Sequence, residues 1–68
     1  MRYAVIFEKS ERSFGAYVPD LPGCVAVGDS LAEVKTLIAE AMKQHLGGLK
    51  EDGHQPPEPA SVVAYIDA

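Results

Sequence analysis

Cysteine is almost missing from this chain: Cys24 is the only one in 68 residues. A lone cysteine cannot staple the fold with an intrachain disulfide, and it excludes a four-cysteine zinc site. Basic side chains are also few, six against ten acidic ones, for a net charge of −4. That balance argues against unaided binding to nucleic-acid phosphates or anionic lipid, both of which require a basic patch. Long apolar runs are absent. Those present extend for a few residues, far short of the ~20 needed to span a bilayer. The N-terminal MRYAVIFEKS has an apolar stretch too short for a signal peptide and no small-residue cleavage site. Together these absences predict a soluble, cytoplasmic protein. The length allows one domain. A chain of this size buries only about 60% of the surface its unfolded form exposes, so its core is small and a deep two-domain cleft is excluded.

What is present is strand and helix periodicity. In Arg2 to Glu8 (RYAVIFE), Tyr3, Val5 and Phe7 share one face and Ala4 and Ile6 the other, which predicts a strand covered on both sides. Lys9 to Ser13 is a polar connection of hairpin length, and Phe14 to Val18 reads as a second strand. Pro19 has no N–H for a ladder, so pairing ends there. Pro22-Gly23 suits the central positions of a type II turn. Cys24 to Val27 is then a short third strand, and Val62 to Ile66 (VVAYI), after a proline-rich connector HQPPEPAS at 54–61, a last one.

Ser30-Leu31-Ala32-Glu33 has the capping-box pattern. Ser30 is placed to accept from the Glu33 N–H, and Glu33 to reach back to the N–H of Ser30. Leu31, Val34, Leu37, Ile38, Ala41, Met42, His45, Leu46 and Leu49 then recur at helical spacing. Gly47-Gly48 weakens the pattern by about 1 kcal/mol per glycine relative to alanine. We expect the helix to continue through them to Asp52, with Gly53 as its C′ residue and Pro56 beyond. The predicted order is β-β-β-α-β. One helix covers one face of such a sheet, so the opposite face keeps apolar side chains and predicts a homo-oligomer, dimer or tetramer, or another partner.

Candidate chemistry is thin. Cys24 lacks a neighbouring base in sequence and reads as a small buried hydrophobe. His45 sits on the apolar stripe between Ala41 and Leu49, neither of which binds metal, and His54 lies in the connector. A Cys24, His45, His54 site has no recognised metal spacing. No acid falls within Tyr3 to Phe7 or Val62 to Ile66; Glu8 and Asp67 only flank them. The converging carboxylates of a two-metal nuclease are therefore not evident. There is no nucleophile elbow, P-loop or dinucleotide fingerprint. We name no catalytic residue, cofactor or metal ligand.

One family resemblance covers nearly the whole chain. Ala16-Tyr17-Val18-Pro19-Asp20-Leu21-Pro22-Gly23-Cys24-Val25, followed by Gly28-Asp29-Ser30-Leu31 and Glu33, resembles the signature of the HicB-like antitoxin family. Tyr3 to Glu8, and Glu51-Asp52-Gly53 with Pro56, fit the same pattern. The resemblance implies an α+β, partial or degenerate ribonuclease H-like domain. That domain would be a three-stranded antiparallel meander, one helix on one face, and a fourth strand parallel to the first. It also implies a partner, a HicA-like toxin that cleaves mRNA and is neutralised by direct binding. Longer members carry a C-terminal DNA-binding module. No basic segment for one is present in this sequence, so we expect a single domain over 1–68 that does not grip DNA alone. Pro19, Asp20, Leu21, Pro22, Gly23 and Cys24 are expected to form a rigid turn that sets strand register, and Ser30 and Glu33 to cap the helix. The alternatives are an orphan oligomeric domain with another protein or ligand, and a weak metal-dependent nuclease.

Overall fold

The computed structural model describes residues 1–68. Its elements are β1 (Ile6–Lys9), β2 (Phe14–Tyr17), β3 (Val25–Gly28) and α1 (Leu31–Glu51). The strands form one antiparallel sheet in the order β1-β2-β3. Register sets Ile6 against Tyr17 and Tyr17 against Val25; the next row is Phe7, Ala16 and Ala26. Successive side chains alternate between faces. The row with Phe7, Ala16 and Ala26 therefore faces α1, and the row with Ile6, Tyr17 and Val25 faces away. Tyr3, Val5, Phe7 and Phe14 join the helix side, packed against a buried cluster of Ala16, Val18, Leu21, Cys24, Val34 and Ile38.

The first strand starts later than its apolar pattern predicts. Residues 2–5 are not in the ladder, which opens at Ile6 opposite Tyr17. Continued pairing would set Ala4 opposite Pro19, which has no N–H to donate. The Val18 N–H is already turned the other way, donating to the Cys24 carbonyl at 3.2 Å. At the other end, β1 extends through Glu8 and Lys9, so Glu8 lies inside a strand rather than beside one.

The helix is set by its caps and one face. Ser30 is extended (φ −140°, ψ 158°), and its hydroxyl accepts from the Glu33 N–H at 3.1 Å. The Glu33 carboxylate accepts at 2.8 Å from the N–H of Asp29, one residue earlier than the expected Ser30. A Cβ on Gly28 would overlap that carboxylate and crowd Val34, so this close approach needs glycine. Val34 and Ile38 are buried against β2 and β3, and Ala41, Met42 and Leu46 extend the stripe. Leu31 and Leu37 lie at its exposed margin. Helical geometry continues through Gly47-Gly48 to Glu51. It closes in a Schellman arrangement, with His54 N–H on Leu49 O (2.8 Å) and Gly53 N–H on Lys50 O (3.1 Å).

The expected fourth strand is not in the sheet. Val62–Ile66 forms no ladder with β1 or any other strand. Val62, Tyr65 and Ile66 are 91, 96 and 90% exposed. The connector explains why. The Tyr3 hydroxyl donates to the Pro57 carbonyl at 2.6 Å, and four residues later Ser61 is held at Asp20, beyond the end of β2. The chain thus crosses the end of the sheet from the β1 side to the β2–β3 turn. It leaves its own β1 edge behind before the strand-forming residues begin.

Candidate functional site

The Pro19–Cys24 loop is two successive turns. The Leu21 N–H donates to the Val18 carbonyl and the Cys24 N–H to the Leu21 carbonyl, both at 3.0 Å. The second turn has Pro22 and Gly23 at its centre, with Gly23 at φ +84°. Proline fixes the first central φ and glycine supplies the positive one, as a type II turn requires. This geometry folds Leu21 inward, where it is fully buried, and places Cys24 beside it in the core. Burial pushes the Cys24 thiol above its ordinary pKa. A thiol held protonated among apolar side chains is a poor nucleophile.

Asp20 points outward and gathers three donors from the connector. Its Oδ2 accepts from the N–H groups of Ala60 and Ser61, each at 3.0 Å, and its Oδ1 from the Ser61 hydroxyl at 2.9 Å. These bonds favour the ionised form. The Ser61 and Ala60 N–H groups hold the carboxyl below its ordinary value of 3.8, against a smaller opposing effect of desolvation. Sequence reasoning placed Asp20 in the turn but missed this clamp, because its partners lie 40 and 41 residues away. The proline-rich connector was the available signal, since such a segment bonds little within itself and leaves its N–H groups for an outside acceptor.

The sheet face opposite α1 is open. Tyr17, Val25 and Val27 are exposed, the two valines by 62 and 68%, and half-buried Ile6 completes the row with Tyr17 and Val25. Glu8 stands one row further along, opposite Gly15. No three of the His, Cys, Asp and Glu side chains converge. Glu8 is thus in no such group, Asp67 is in the exposed C-terminal stretch, and Cys24, His45 and His54 are not gathered together. No cavity opens beside any of them. No helix is long and apolar enough to cross a membrane. The arrangement offers a surface for binding and no assembled set of reacting groups.

The chain is 34% identical over 67 residues to a 14.9 kDa protein from the rep–hol intergenic region of Haemophilus phage HP1 (strain HP1c1), covering 98% of this chain and 50% of that one. It is 43% identical over 47 residues to a UPF0150 protein of Helicobacter pylori (strain J99 / ATCC 700824), covering 69% of this chain and 65% of that one. The chain thus spans between half and two thirds of the length of these relatives. Among solved structures, it is similar to a chain of a HicA3 and HicB3 toxin–antitoxin complex, with a TM-score of 0.72 and 28% identity. That match covers 88% of this chain and 70% of the other. The three antiparallel strands and the helix are common ground with that structure. Residues 3–68 match the model of the HicB-like antitoxin of bacterial toxin–antitoxin systems. Members of that family are antitoxins and not typically enzymes, and the chain belongs to the HicB-like antitoxin family.

Proposed function

We propose that this chain is an antitoxin-type binding module that neutralises a small HicA-like, mRNA-cleaving toxin by direct binding, in the cytoplasm where that RNA is found. The observation that carries the reading is the family match over residues 3–68. The likeness to a chain from a toxin–antitoxin complex supports it. Charge supports it as well. A protein of net charge −4 complements a basic RNA-binding partner, which speeds encounter and orients docking. The open row of Ile6, Tyr17 and Val25 adds apolar and aromatic surface of the kind found at the centre of interfaces.

The test is co-expression with a small basic HicA-like protein from the same genome. Rescue of growth together with a complex that survives purification is the expected result. Growth arrest in the presence of abundant folded antitoxin, with no complex recovered, would remove the reading.

A further inference from the structure

Two features of the molecule are complementary and do not meet. One is the outer edge of β1, whose backbone groups pair with nothing, because β1 is the first strand of the sheet and bonds only to β2. The helix lies over β3 and β2, so on its side the β1-proximal Tyr3, Val5 and Phe7 are only half-buried. The other feature is Val62–Ile66, a stretch of strand-forming residues apolar on both faces and exposed along its length, Val63 by 49% and Val62, Tyr65 and Ile66 by 90% or more. The Tyr3–Pro57 bond and the Asp20 clamp carry this stretch past its own β1 edge.

We propose that two copies of this chain exchange Val62–Ile66, each segment adding as the fourth strand to the β1 edge of the other copy. A second copy is the fitting occupant because one chain supplies both halves of the contact. Exchange about a two-fold axis therefore closes both edges at once. The connector at 54–61, with prolines at 56, 57 and 59, is a semi-rigid spacer that resists folding back.

Area points the same way. A compact 7.3 kDa monomer exposes about 4,200 Å², whereas this chain exposes 5395 Å². The excess of about 1,200 Å² exceeds the ~800 Å² that each partner commonly hides in a stable interface. The Cα radius of gyration, 13.1 Å, is likewise larger than the ~11 Å of a compact chain of this length. The added strand would lay one set of its alternating side chains beside Tyr3, Val5 and Phe7 and the other beside Ala4 and Ile6.

The test is NMR on an equal mixture of isotope-labelled and unlabelled chains, with mass from light scattering on the same sample. The expected result is a mass of two chains, with nuclear Overhauser contacts between 62–66 and β1 only across the label boundary. Tyr65→Asp should then give a monomer whose circular dichroism keeps its helix, while Val25→Asp, on the open sheet face, leaves the dimer intact. A monomer at NMR concentration would overturn the proposal. So would contacts within one label, or a dimer lost through Val25→Asp and kept in Tyr65→Asp. None of these outcomes depends on toxin binding.

Discussion

Tyr3–Phe7 (YAVIF) and Val62–Ile66 (VVAYI) are nearly the same segment in composition, five residues each with one tyrosine and both faces apolar. Their fates differ. Tyr3, Val5 and Phe7 pack against the core, and Ile6 and Phe7 pair with β2. The second segment pairs with nothing in its own chain. Strand-forming character belongs to the residues, but pairing belongs to what precedes them. A hairpin of four polar residues returns β1 directly to β2, while a proline-rich connector pinned at Pro57 and Ser61 aims the last residues past the sheet.

The sharpest way to break this contrast is to delete buried volume on the packed side. Leu21→Ala should cost about 2–5 kcal/mol, a large part of the ~5–15 kcal/mol that holds a small domain together. Only six side chains are buried, so little else can compensate. Tyr65→Ala, by contrast, should change the unfolding free energy of the dilute monomer by less than about 0.5 kcal/mol, as exposed positions do. Urea titrations of the two variants check both figures. A large effect of Tyr65→Ala in the dilute monomer would mean that the segment packs on its own chain.

Smaller effects report on the turn and the cap that support the packed side. Gly23→Ala forces a Cβ into a residue at φ +84°, at a cost of about 1–2 kcal/mol, visible as a lower urea midpoint. Ser30→Ala removes the hydroxyl that accepts from Glu33 N–H and should cost about 1 kcal/mol. An unchanged melting temperature would remove the capping role.

The smallest effect probes the clamp that directs the exposed side. The Asp20 carboxyl is held below 3.8 by its bonds to Ser61 and Ala60. A depressed carboxyl stabilises the folded form above its unfolded pKa, and that contribution is lost as pH falls through the lower folded-state value. The Ala60 and Ser61 amide shifts should therefore stay constant at neutral pH and titrate together only below 3.8. In Asp20→Asn they should lose that titration while the helix amides keep their shifts.

Much of the packed side was legible from local chemistry. The Ser30–Glu33 pattern, the helical stripe and the Pro22-Gly23 pair each act within a few residues, and the structure has a cap, a helix ending at Glu51 and a positive φ at those places. The start of β1 was less legible, because it depends on which residue Pro19 would oppose across the sheet. The Asp20 clamp and the path of Val62–Ile66 were not legible. They turn on bonds between residues 40 or more apart, and nothing in the local alternation of VVAYI says which edge it can reach. The reading of Glu8 as a flanking residue failed for a related reason: hairpin register, not apolar pattern, decides where a strand ends.

The most direct test of the account titrates RNA cleavage by a purified HicA-like toxin from the same genome with this chain. Neutralisation by binding predicts that cleavage falls to background near a stoichiometric ratio and returns when the complex is dissociated. Cleavage that continues unchanged at a large excess of the folded chain would contradict it.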